Sequence, residues 1–153
     1  MTICEAAAYY KKQELTLWDA MNKMYQKYGY FKEKQMSITL KGSDGAVKIK
    51  KMMENMRENP AKEIANLKVK EFGDYDKQEI TTENNEKRST GLPKSNVLYF
   101  DLEKNAWVCV RPSGTEPKIK FYMGVCGSSM ENANEELEKL EKAVKEMAEN
   151  AQK

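Results

Sequence analysis

The 153-residue chain contains no histidine. That absence excludes, for this chain alone, imidazole general-base catalysis, His–metal ligation and Ser-His-Asp chemistry. Cysteine is scarce. Cys4, Cys109 and Cys126 are widely spread, odd in number and free of any CxxC spacing. This speaks against a zinc site or disulfide framework and suits a reducing cytoplasm. No apolar run approaches the ~18–20 residues needed to cross a bilayer. The opening Met-Thr-Ile-Cys-Glu lacks the charged-then-apolar layout of a signal peptide. A soluble, cytoplasmic protein with no membrane partner is expected. An excess of one charge sign is also missing: 26 Lys+Arg against 24 Asp+Glu leaves +2, although 33% of residues are charged. Bulk polyanion binders carry a stronger basic excess, so no nucleic-acid partner is expected.

What is present falls into periodic segments. Residues 3–11 are Ala- and Tyr-rich and read as helix. Thr16 and Asp19 approximate a capping box for a second helix, with Leu17, Ala20, Met21, Met24, Tyr25 and Tyr28 on one face and Gly29 as the stop. Two such helices cannot enclose a core, so residues 1–35 read as the trailing edge of a domain whose body lies elsewhere. Met36, Ile38 and Leu40 alternate with Ser37 and Thr39 as a strand crossing a domain boundary. Ser43 is the expected N-cap of a helix running to about Glu58, its stripe being Ile49, Met52, Met53 and Met56, and Asn59-Pro60 ends it.

A turn at 61–66 leads to a strand near 67–75. Residues 76–95 are polar, with only Ile80 and Leu92 as large apolar side chains, and read as one long surface loop. Strands follow at 96–102, 106–111 and 118–125. Ser128 with Glu131 is the expected capping box of the last helix, in which Met130, Ala133, Leu137, Leu140, Val144, Met147 and Ala151 recur at alternating spacings of 3 and 4. A coiled-coil seam has that spacing, but the strands need a cover and the helix is expected to supply it. The sum is an α+β, two-layer domain: a mainly antiparallel sheet of about four strands with two helices on one face.

Packing does not explain one segment, Val110-Arg111-Pro112-Ser113-Gly114-Thr115-Glu116-Pro117-Lys118-Ile119-Lys120. Each piece suits a phosphate monoester. Arg111 offers a bidentate fork. Gly114 lets backbone N–H groups approach an anion, and Ser113 and Thr115 add adjustable hydroxyl donors. Pro112 and Pro117 stiffen the shoulders, while Lys118 and Lys120 share one face of the next strand. Glu116 must point away, toward a basic neighbour. The plainer alternative, a structural turn whose Arg and Lys pair with Glu116 and solvent, stays open on composition alone.

That loop, followed by Phe121-Tyr122, resembles the phosphate-binding loop in the C-terminal domain of the α-D-phosphohexomutases. Tyr28-Gly29-Tyr30-Phe31-Lys32-Glu33, Asn59-Pro60 and Gly91-Leu92-Pro93-Lys94-Ser95-Asn96-Val97-Leu98 support the match, which looks most like a bacterial phosphoglucomutase/phosphomannomutase and covers nearly the whole chain. The resemblance implies residues 1–35 as the tail of the third domain and 36–153 as the fourth, TATA-binding-protein-like domain. It implies an isomerase in which a phosphoserine phosphorylates a sugar monophosphate, and the resulting bisphosphate turns over and returns its other phosphoryl group.

By motif position, Arg111, Ser113, Gly114 and Thr115 would hold the phosphate not being transferred, with Lys120 and, more weakly, Lys118 beside them. The implied ligands are glucose or mannose 1- or 6-phosphate and the bisphosphate; the implied partner is the missing N-terminal part of the same polypeptide. The family's serine loop, Asp-x-Asp-x-Asp magnesium loop and sugar-selecting loop are not in this sequence. No catalytic or metal residue is therefore assigned here. Mg²⁺ is implied only for the full-length enzyme, and the fragment is expected to be inactive. Asp74-Tyr75-Asp76 looks like half a metal motif but reads as a solvated strand end. A standalone anion- or nucleic-acid-binding module is the alternative, motivated by lysines interleaved with tyrosines in residues 9–51.

Overall fold

A computed structural model describes residues 2–40, 42 and 44–152. Helices α1 (Thr2–Lys11) and α2 (Leu17–Tyr28) come first. The capping box forms: Asp19 N–H donates to the Thr16 hydroxyl at 3.1 Å and Thr16 N–H to the Asp19 carboxylate at 2.8 Å. The Thr16 hydroxyl, which lies 2.6 Å from the Asp19 carboxylate, and the Thr16 N–H hold the Asp19 carboxyl below its ordinary pKa. Gly29, at φ 104°, closes α2. Neither helix has much to pack against. No residue of α1 is buried and only Ala20 of α2 is, leaving Ile3, Tyr9, Trp18, Met24 and Tyr28 exposed.

Strand β1 (Tyr30–Thr39) starts earlier than its alternating residues suggested, because Tyr30–Gln35 also pair along β8 (Lys118–Gly127). Helix α3 (Gly45–Glu58), β2 (Glu63–Ile64), β3 (Leu67–Asp74), β4 (Glu79–Thr82), β5 (Lys87–Ser89), β6 (Leu98–Leu102), β7 (Trp107–Pro112) and α4 (Met130–Ala151) complete the chain. The sheet is antiparallel throughout and runs β1-β8-β7-β6-β3-β4-β5, with β2 paired to β3. It is thus wider than the four strands expected, within the same two-layer α+β plan.

Period-two alternation decides which face is dry. Leu98, Phe100 and Leu102, Val108 and Val110, and Ile119, Phe121 and Met123 are buried beneath α3 and α4. The helices answer with Ile49, Met52, Met53 and Met56, and with Ala133, Leu137, Leu140, Val144, Ala148 and Ala151. The alternating 3-4 spacing of α4 is therefore spent on the sheet. Among the described residues, no helix is long and apolar enough to cross a membrane.

Three local expectations are corrected. Residues 76–95 are not one loop, since β4 and β5 form a hairpin within them. That hairpin sits at the sheet edge and is tied by ion pairs, Arg88–Glu71 at 2.6 Å and Lys87–Glu79 at 2.9 Å, so it carries no apolar alternation to read. The cap of α4 is Ser129, whose hydroxyl accepts from Asn132 N–H at 3.1 Å. The Asn132 side chain, not that of Glu131, reaches back and accepts from the N–H of Ser128, the residue before the cap, at 3.0 Å. Ser43 lies outside the described residues; Asp44, next in the chain, makes no side-chain cap bond and pairs with Lys48 at 2.6 Å.

The third correction concerns Asp74, which is buried rather than solvated. It accepts from Arg57 Nε at 3.0 Å and from Asp76 N–H at 3.1 Å, while the Arg57 fork also reaches Asn96 at 2.8 Å. This ties the end of α3 to the end of β3 and to the segment before β6. Arg57→Met would strand a buried carboxylate and should cost about 3 kcal/mol. Urea denaturation checks this; a midpoint unchanged from wild type would contradict it.

Candidate functional site

β7 and β8 form a hairpin in which Arg111 stands directly opposite Lys120, and Pro112 opposite Ile119. Val110 and Ile119 point into the core, so Arg111, Lys118 and Lys120 fall on the face that α3 and α4 do not cover. Directly paired strand residues have Cβ atoms about 4.5–5.5 Å apart, and like charges so placed repel. Arg111 is exposed and Lys120 half-buried. Among the described residues neither side chain has an ion-pair or hydrogen-bond partner. Two cations are thus held side by side with no carboxylate between them.

Glu116, the one acidic residue of the loop, turns to Lys118 at 3.0 Å. That matches the requirement that it point to a basic neighbour, but the neighbour is itself a candidate residue, so part of the Lys118 charge is already engaged. The loop is cinched at its base: Ser113 N–H donates to Lys118 C=O and Lys118 N–H to Glu116 C=O, both at 2.7 Å. Its far shoulder is tied as well, with Leu40 N–H donating to Pro117 C=O at 3.0 Å. Gly114 and Thr115 are exposed at the tip and Ser113 is half-buried. A side chain at Gly114 would meet nothing within 4 Å, and its φ is not in the left-handed region. The fold of the loop does not demand glycine there; what glycine adds is open backbone at the exposed tip.

The rest of that sheet face is aromatic. The Trp107 indole lies against Gly124, where any Cβ would overlap it, and stacks on Tyr99 with ring centroids 6.1 Å apart. Cys109 and Tyr122, paired across β7 and β8, separate this stack from Arg111. Burial pushes the Cys109 thiol pKa up, and the Arg111 charge pulls it partly back.

Residues 51–143 match the family model described as phosphoglucomutase/phosphomannomutase, C-terminal domain. The chain belongs to this family. A phosphoglucomutase of Staphylococcus haemolyticus (strain JCSC1435) is 33% identical over 128 residues, which cover 83% of this chain and 23% of that protein. Phosphoglucomutases of Staphylococcus aureus strains bovine RF122 / ET3-1 and MRSA252 are 40% identical over 111 residues, 72% of this chain and 20% of theirs. The chain therefore spans 20–23% of the length of these phosphoglucomutases and corresponds to their C-terminal region.

The magnesium expected of a phosphoglucomutase does not fit the residues present. Asp74 is taken by Arg57 and by the Asp76 amide, and Asp76 faces Lys94 at 3.4 Å. Among the described residues no three His, Cys, Asp or Glu side chains converge. A hard divalent cation needs about six oxygens, several of them anionic, and this arrangement does not supply them.

Sequence reasoning missed two contributors to the site. Leu40 and the start of α3 brace the loop from another part of the chain, and nothing in the local spelling of residues 40–45 points to residue 117.

Proposed function

We propose that this chain is the substrate-phosphate-binding domain of a phosphoglucomutase/phosphomannomutase, an isomerase of hexose phosphates. Residues 36–153 form that domain, and residues 1–35 belong with the domain before it, β1 being shared between the two. The observation that carries the reading is the cross-strand pair Arg111 and Lys120, two uncompensated cations beside a loop with exposed backbone. A dianion relieves their repulsion and gains charge-assisted hydrogen bonds from the guanidinium. Ser113, Thr115 and the Gly114 amide are the neutral donors around it, and Lys118, half-committed to Glu116, contributes least.

The clamp recognises phosphate by charge and backbone, with no contact to sugar hydroxyls. That suits a ligand which must present first one phosphate and then the other as phosphoryl passes from a phosphoserine to the sugar monophosphate and back. The nucleophile, the magnesium site and the sugar contacts belong to the rest of the polypeptide, in the cytoplasm.

The nucleic-acid reading loses support on geometry. Of the lysines behind it, Lys34, Lys48 and Lys50 are ion-paired with Glu141, Asp44 and Glu54. Tyr25 is stacked on Tyr30 instead of standing clear for a base.

Two measurements test the proposal. In an NMR titration with inorganic phosphate or glucose 1-phosphate, the amides of residues 111–120 should shift, with a dissociation constant in the millimolar range, worth about 4 kcal/mol. Shifts confined to other parts of the chain would sink it. In a coupled glucose 6-phosphate assay the purified chain should give no turnover above blank, because it lacks nucleophile and metal. Sustained turnover would refute the division of labour.

A further inference from the structure

We infer that the contact of Leu40 and Gly45 with Pro117 is a latch that sets the shape of the phosphate loop, with Gly45 as its positioning residue. This rests on the reading of residues 111–120 as a phosphate grip. The β1–β8 ladder runs to Thr39 opposite Lys118, and one residue further Leu40 N–H bonds Pro117 C=O at 3.0 Å. Gly45, the first residue of α3, is buried against the same two residues. A Cβ there would overlap the Leu40 carbonyl oxygen and sit 3.0 Å from Pro117 Cβ.

Gly45 is helical and its φ is not in the left-handed region, so its conformation is open to any residue. Alanine is the better helix former. Closeness is the property that only glycine provides at this position. The atom a Cβ would meet first is backbone, so relief requires the backbone to shift. Leu40 is packed against the core, and the Pro117 ring fixes its own φ, so a push on Pro117 Cβ moves the backbone. That backbone continues into the Glu116 carbonyl, which accepts from Lys118 N–H, and from there to the Ser113–Lys118 bond that cinches the loop. A displacement at the start of α3 therefore arrives at Ser113, Gly114 and Thr115.

The test uses amide NMR spectra of the 153-residue protein. In ligand-free Gly45→Ala, the Ser113, Gly114, Thr115 and Lys118 resonances should move, and the phosphate dissociation constant should rise about three- to tenfold, a coupling of about 1 kcal/mol. Pro117→Gly removes the ring from the same contact, so it should move the Leu40 and Gly45 resonances and weaken phosphate similarly. This second variant decides the matter should Gly45→Ala not fold. Val144→Ala, which loosens the core away from the loop, should leave the loop resonances and the phosphate constant as in wild type; equal effects in that variant would reduce Gly45 to a merely structural role. Changes that stop at residues 38–50 in Gly45→Ala and at 113–120 in Pro117→Gly would overturn the latch. A wild-type protein blind to phosphate would instead defeat the functional reading, while the resonance positions would still decide the latch.

Discussion

Arg111→Ala should abolish measurable phosphate binding. The wild-type affinity expected is about 4 kcal/mol, and a hydrogen bond to a charged group contributes about 1.5–3 kcal/mol. Losing a two-pronged guanidinium therefore removes most of the total and moves a millimolar constant beyond a practical titration. Lys120→Ala should weaken binding less, since an ammonium acts as a point charge without a planar fork. Lys118→Ala should weaken it least, because Glu116 holds that ammonium at 3.0 Å. The check is a phosphate titration of the three variants beside wild type. Equal phosphate-dependent shifts in wild type and Arg111→Ala would reject the assignment.

Leu140→Asp should unfold the protein. Leu140 is fully buried in the cluster that α4 shares with β8. The substitution removes about 2–3 kcal/mol of apolar burial and leaves a carboxylate where its solvation penalty is several kcal/mol. Domains of this size have about 5–15 kcal/mol to lose, so the native fold should be a minor species at 25 °C. The same variant decides what the alternating 3-4 spacing of α4 is for. Were the helix a seam between two copies, Leu140→Asp would give a well-folded monomer. Circular dichroism with sedimentation distinguishes the outcomes, and a folded monomer melting near the wild-type temperature would contradict the packing described here.

The sequence showed the elements whose pattern is written in apolar side chains. Ile49, Met52, Met53 and Met56 marked α3, and the alternation through β6, β7 and β8 marked the central sheet, because burial forces those residues to recur at the period of their backbone. It did not show β4 and β5. There Arg88–Glu71 and Lys87–Glu79 do the work of an apolar face, and charged residues in solvent follow no period. Asp74 misled for a related reason: its partners, Arg57 and Asn96, lie on other elements, so burial could not be read from its neighbours in sequence. In the candidate site, the grouping of Arg111 with Lys118 and Lys120 came from the hairpin's chemistry together with the family resemblance. The Glu116–Lys118 pairing was anticipated only as some basic neighbour, and the brace from Leu40 and Gly45 depends on tertiary contact.

One consequence of the β1–β8 pairing reaches beyond the hairpin. β1 follows α2 after the single residue Gly29 and stays paired for ten residues, so it behaves as a stiff rod about 33 Å long. α2 joins one end through Gly29, and the loop proposed to bind phosphate lies past the other. A tilt of about 5° where α2 is anchored would swing the far tip by about 3 Å, as wide as a hydrogen bond is long. Under the proposed division into domains, the seating of α1 and α2 on the preceding one would aim the loop as a tiller aims a rudder.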